Sequence, residues 1–93
     1  MIRSFRDAET GKVFRRRRSR RLPPEIQLRA HRKLLLVHAA QRLEDLRVPA
    51  GNRLEALSGA RKGQHSIRVN DQWRICFRWE GADAHDVEIC DYH

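Results

Sequence analysis

An α+β fold, with N-terminal helices packed on a small antiparallel β-sheet, is predicted by a change of periodicity near the middle of this 93-residue chain. Before Val48 the apolar residues recur at spacings of three and four, the repeat of one helix face. After Asn52 they alternate with polar residues, the repeat of a strand with one side buried. Length supplies the third constraint, because so short a chain supports one hydrophobic core, and residues 1–93 therefore read as a single domain.

Taken in order, Met1 to Phe5 suits a short edge strand, and Asp7-Ala8-Glu9-Thr10 offers helix-starting chemistry ahead of Val13 and Phe14. The run from Arg15 to Arg21 follows, and Leu22-Pro23-Pro24 ends whatever precedes it, since the residue before a proline is pushed out of helical geometry. From Pro24 to about Ala40 the residues Ile26, Ala30, Leu34 and Val37 form one ridge, with Leu28, Leu35 and Ala39 on a neighbouring one, which predicts the main helix. Leu43 and Leu46 fit one further helical turn before the loop Val48-Pro49-Ala50-Gly51-Asn52.

In the second half Leu54 and Leu57 flank a short strand, and a loop runs from Ser58 to Gly63. His65 to Val69, Trp73 to Trp79 and His85 to Cys90 alternate as three further strands. If Ile67, Val69, Trp73, Ile75 and Phe77 share the core face, the connection needs an odd number of residues, and Asn70-Asp71-Gln72 fits as a three-residue turn. Pairing Cys76 with Cys90 sets Arg74 opposite Tyr92 and Arg78 opposite Glu88, with Val87 and Ile89 toward the core. Arg68, Arg74 and Tyr92 then share the outer face.

Basic residues outnumber acidic ones by 20 to 12, the formal charge is +8, and 17 of the 20 are arginine. A planar guanidinium binds phosphate oxygens in pairs, whereas lysine would serve equally well for solubility alone, so the bias points to a nucleic-acid partner. No apolar run is long enough to span a bilayer and Met1-Ile2-Arg3 leads into polar sequence, so a cytoplasmic protein with no membrane association is expected. Cys76 and Cys90 lack metal-site spacing and read as reduced, mostly buried thiols. No metal and no cofactor are expected. His31 and His38 lie at helical spacing and are assigned no chemistry, while Trp73 and Phe77 read as core residues.

Several segments carry a family resemblance: Asn52-Arg53-Leu54, Gly59 through Gly63, Ser66-Ile67-Arg68-Val69-Asn70, Gln72-Trp73-Arg74-Ile75 and the terminal Asp91-Tyr92-His93. Over nearly its whole length the chain resembles the HigB branch of the RelE-type toxins of type II toxin–antitoxin modules. The resemblance implies a RelE-like, microbial-RNase-like fold and a ribosome-dependent endoribonuclease that cuts messenger RNA without a metal. It also implies a HigA-like helix-turn-helix antitoxin as partner, with operator DNA engaged only through that antitoxin. At the positions of Glu55 and Ser58, better-known members often carry a histidine and a lysine.

Cleaving RNA without a metal requires a base for the 2′-hydroxyl proton, a cation on the scissile phosphate and an acid for the departing 5′-oxygen. Arg74 is the candidate phosphate stabiliser. Tyr92 and His93 are candidates for proton transfer, Asp91 for orienting one of them, and Glu55 for an additional base; which residue is base and which acid stays open. Arg53, Arg61, Lys62, Arg68 and Arg78 are candidate RNA contacts. Six arginines within seven residues, Arg15 to Arg21, repel one another unless an anion compensates them. Ribosomal RNA and an acidic antitoxin segment are equally good partners on charge alone.

Overall fold

The computed structural model of the protein describes residues 1–91. Asp7 caps the first helix, α1 (Ala8–Phe14), with its Oδ1 accepting from the Thr10 amide at 2.7 Å, as the sequence predicts. Met1 to Phe5 does not form a full strand. It makes two isolated parallel bridges, Ile2 to Ala84 and Phe5 to Val87, on the outer edge of the last strand.

The arginine run is neither a continuation of α1 nor a frayed end. It wraps around Ser19, whose buried hydroxyl donates to Glu9 Oε1 at 2.6 Å and accepts from the amides of Arg21 and Leu22. Gln27 completes the wrapping: its Nε2 donates to the carbonyls of Ser19 and Leu22, and its Oε1 accepts from the Ser19 amide. Two side chains therefore satisfy backbone groups that would otherwise need water, which orders the loop while its six arginines remain exposed.

The second helix, α2 (Pro24–Ala39), starts with proline in its first turn, where the missing N–H costs nothing. Ile26, Ala30, Leu34 and Val37 are its buried ridge. Leu28, Leu35 and Ala39 stay in solvent, because the helix packs against only one layer. The turn expected at Leu43 and Leu46 forms as a 3-10 helix, Leu43–Arg47, with Leu46 buried.

Four strands follow, β1 (Glu55–Ala56), β2 (Gln64–Arg68), β3 (Trp73–Glu80) and β4 (Asp83–Asp91), in an antiparallel sheet whose order follows the chain. Ile67 faces Ile75 and Arg68 faces Arg74 across a three-residue turn, in which Asn70 Oδ1 accepts from the amides of Gln72 and Trp73. The odd-numbered face carries Ile67, Val69, Ile75, Phe77, Val87 and Ile89, all buried in one cluster with Val13 and the α2 ridge. Trp73 and Trp79 pack partly buried against it. Fully burying a side chain the size of Phe77 contributes roughly 1.5–3 kcal/mol, so this layer dominates stability.

The β3–β4 register differs from the expected one. Arg74 faces Cys90 rather than position 92, and Cys76 faces Glu88 rather than Cys90. Beyond a bulge, Arg78 faces His85 instead of Glu88. Asp86 and Val87 together stand opposite Phe77, and Asp86 takes the extra residue with φ +52°. Simple alternation cannot reveal such a bulge, because Val87 and Ile89 still reach the core with it. The tight link between the strands is Gly81-Ala82, with Gly81 at φ +60°, a conformation that glycine adopts at no steric cost.

Candidate functional site

The face of the sheet turned away from the helices brings Glu55, Ser66, Cys76 and Glu88 into one row across the four strands. Arg68, Arg74 and Cys90 form the adjoining row. Arg74 is only 8% exposed. Its Nε donates to Ser66 Oγ at 2.7 Å, and its Nη2 donates to the Arg53 carbonyl at 2.7 Å. Nη2 also stands 3.9 Å from Glu55 Oε2, which places a carboxylate beside the buried guanidinium.

The Arg53 carbonyl is aimed by its own backbone. Arg53 adopts φ +46°, a left-handed conformation that costs a non-glycine residue roughly 1–2 kcal/mol and is held here by its surroundings. Immediately before it, buried Asn52 donates through Nδ2 to the carbonyls of Leu46 and Val48 and accepts from Lys33 Nζ. Partial burial, aided by the charges of Arg29 and Arg68, holds the Lys33 ammonium below its ordinary range. A lysine from α2 thus secures the segment that fastens Arg74.

Glu88, also buried, receives Arg61 at 2.7 Å and Arg6 at 3.1 Å. Arg61 also donates to Gln64 Oε1. Arg68 is paired with Asp71, and Arg78 with Glu80 and Asp86. Lys62 is exposed on the loop after the 3-10 turn Gly59–Arg61. Asp91 pairs with Trp73, on the alternate side of the ladder from Arg74, and its Oδ2 accepts from Gln72 Nε2 at 3.0 Å. Tyr92 and His93 lie outside the described residues.

Of the predicted site residues, then, the fold brings together Arg74, Glu55 and the backbone of Arg53, and sets Arg61 nearby through Glu88. The sequence reading missed Ser66, Glu88 and Arg6. Ser66 was within reach of it, since alternation from Arg68 puts residue 66 on the same face. The other two depend on the register and on the N-terminal segment lying along β4.

The expectation of reduced cysteines is corrected: Cys76 and Cys90 form a disulfide. The observed register makes them diagonal neighbours on one face with Cα atoms 6.8 Å apart, at the limit of what a disulfide spans. Their sulfurs and a Glu88 oxygen lie within 4.8 Å of one another, the closest approach to a metal-ligand set among the described residues. The sulfurs are committed to each other, and Glu88 to two guanidinium groups. His31 and His38 are structural, as expected: His31 Nδ1 lies 3.0 Å from the Val13 carbonyl, and His38 Nδ1 accepts from the Ile2 amide.

A small antiparallel sheet backed by helices on one face, with a fixed guanidinium and a carboxylate on the other, defines a compact α+β protein equipped to hold an anion. Comparison with known proteins narrows the class. A family model described as the RelE-like toxin of type II toxin-antitoxin system HigB matches residues 3–93. The chain belongs to this family, and its fold is that of a RelE-like toxin. It is similar to Toxin HigB-1 of Vibrio cholerae, 49% identical over 63 residues that cover 68% of this chain and 66% of that protein, just under two thirds of its length. It is also similar to Endoribonuclease HigB of Proteus vulgaris, 29% identical over 93 residues and the full length of both chains. An uncharacterised protein of Haemophilus influenzae is 31% identical over 69 residues, covering 74% of this chain and 68% of that protein. A type II toxin works opposite an antitoxin, and this chain therefore has an antitoxin partner. No helix among the described residues is long and apolar enough to cross a membrane.

Proposed function

We propose that this toxin is an endoribonuclease that cuts messenger RNA on the ribosome and so arrests translation. The observation that carries the reading is the fastening of Arg74: a buried guanidinium, held by Ser66 and by the Arg53 carbonyl, with the Glu55 carboxylate 3.9 Å away. A cation oriented in advance stabilises the charge that develops on phosphate oxygens without reorganising during the reaction. Glu55 accepts the 2′-hydroxyl proton, the 2′-oxygen attacks phosphorus, and the bond from phosphorus to the 5′-oxygen breaks. Tyr92 or His93 returns a proton to that 5′-oxygen, leaving a 2′,3′-cyclic phosphate on one fragment and a 5′-hydroxyl on the other. Asp91, whose carboxylate accepts from Gln72, orients one of these two residues. Arg53, Arg61, Lys62, Arg68 and Arg78 supply the positive field around the RNA, and no metal or cofactor takes part.

The name of the Proteus relative and the family description support this reading. The partner is a HigA-like helix-turn-helix antitoxin, operator DNA is reached only through it, and the toxin acts in the cytoplasm with the ribosome. The test is incubation of the purified toxin with translating ribosomes. Site-specific cuts ending in a cyclic phosphate, lost in Arg74→Ala, are the expected result; ribosome binding without cuts overturns it.

Ser58 favours a second reading. It is exposed and makes no capping hydrogen bond, and a hydroxyl replaces the lysine often found there in the family. A relative that retains the fold and antitoxin affinity but has lost cleavage fits that change. Under the enzymatic reading, Ser58→Lys raises the cleavage rate; under the second, it restores cuts that the natural chain lacks.

A further inference from the structure

On the helix side of the sheet, the Arg15–Arg21 loop and α2 enclose a cleft of about 200 Å³ lined by Val13, Arg16, Arg17, Arg18, Leu28 and His31, among others. Beyond it the solvent face of α2 continues with Leu35, Leu36 and Ala39. Leu28 is 53% exposed and Leu35 45%, while Arg29 and Arg32 stand between them on the same exposed surface. Isolated exposed leucines are ordinary, but here they follow helical spacing and adjoin a cluster of unpartnered charge. Among the described residues, Arg16, Arg17 and Arg18 form no ion pair with a carboxylate.

Order is the second observation. Ser19, Gln27 and Glu9 pin the loop backbone, so the arginines are presented from a fixed frame rather than from a floppy tail. A ligand that engages them orders the side chains but not the backbone, which is already fixed. An RNA backbone would use the arginines but has no use for a leucine stripe. An amphipathic protein segment with acidic residues beside apolar ones uses both. The surface also lies behind the sheet from Arg74, whose row is on the face turned away from the helices. It is therefore not an extension of the proposed RNA site.

We propose that the cleft between the arginine loop and the outer face of α2 is the docking site for an acidic, amphipathic segment of the toxin's own antitoxin. The proposal rests on the family's antitoxin partnership and adds where on the toxin that partner sits and by what chemistry. Its apolar residues cover Leu28 and Leu35, and its carboxylates meet Arg16, Arg17 and Arg18.

The test is calorimetric titration of the cognate antitoxin into wild-type toxin, Leu28→Asp/Leu35→Asp and Arg17→Gln/Arg18→Gln. All four positions are exposed, and thermal melting checks that each variant is folded. Both double variants are expected to weaken binding by about 30-fold or more, the size of effect seen when central interface residues are removed. Cleavage on ribosomes stays at the wild-type rate. Unchanged antitoxin affinity in both folded variants overturns the proposal. So does unchanged affinity with a loss of cleavage, which assigns the surface to RNA. Should the wild-type toxin bind no antitoxin, the partnership itself fails and the docking site with it; a failure confined to the variants leaves the partnership intact.

Discussion

Arg74 and the Arg15–Arg21 loop use the same side chain in opposite ways. Arg74 is buried on the sheet, with Nε and Nη2 committed to Ser66 and to the Arg53 carbonyl, so its charge is fixed in direction. The loop arginines are exposed to solvent, although the Arg15 guanidinium lies over the Phe5 ring, and what is fixed there is the backbone, through Ser19 and Gln27. A guanidinium bound at its base can serve a reaction, where an error of a fraction of an ångström matters. One that is free to swing on an ordered loop suits a surface whose partner adapts to it.

Breaking the buried member should have the largest effect. Arg74→Ala is expected to lower cleavage by about 10²–10³-fold, as loss of one oriented charge donor does, measured in single-turnover reactions on ribosomes. A fall of less than about threefold would remove Arg74 from the chemistry. Next comes Glu55→Gln, which keeps shape and removes the base, with an expected loss of about 10²-fold. If the rate holds while Tyr92→Phe and His93→Gln each lower it, the proton acceptor lies in the terminal residues instead.

Ser66→Ala sharpens the comparison further, because it removes the hydroxyl that accepts from Arg74 Nε and leaves the Arg53 carbonyl on Nη2. We expect about a tenfold fall in kcat with little change in KM, together with a stability loss of about 1 kcal/mol from the missing buried hydrogen bond. Ser66→Thr should recover much of the rate; a stability loss with kcat intact would reduce Ser66 to a packing role. Smallest in its effect on cleavage is Ser19→Ala, expected to leave the rate unchanged and to lower the melting temperature. Hydrogen bonds from Ser19, then from Lys12, hold the Glu9 carboxyl below its ordinary value of 4.5. A carboxylate with a depressed folded-state pKa stabilises the fold fully above its unfolded value, and that stabilisation is lost as pH falls through the folded one. The gap in melting temperature between wild type and Ser19→Ala should therefore be widest at neutral pH and narrow below about pH 4.5. A gap that is constant with pH would show that Ser19 acts without Glu9.

Much of the framework was legible in the residues. Ile26, Ala30, Leu34 and Val37 repeat with the helix, and the alternation from Ile67 through Phe77 required the three-residue turn that Asn70 closes. These signals are local, because the period of a side chain is set by its own backbone. The site was only half legible. Arg74 stood out by its strand position, but its fastening to Ser66 and to Arg53, 21 residues away, depends on how β1 and β2 meet β3. The bulge at Asp86 was hidden because a register shift leaves the apolar pattern of each strand unchanged, whereas Cys76 and Cys90 were already expected side by side and only their oxidation was missed, since thiols and a disulfide have the same sequence.

By itself, the amino-acid order determined the elements, the single apolar face of the sheet and the excess of arginine, since periodicity and charge are properties of the chain alone. Only the tertiary structure decided which arginines are fixed and which are presented. Direction comes from partners such as Ser66, the Arg53 carbonyl and Ser19, which the chain brings near only when it is folded.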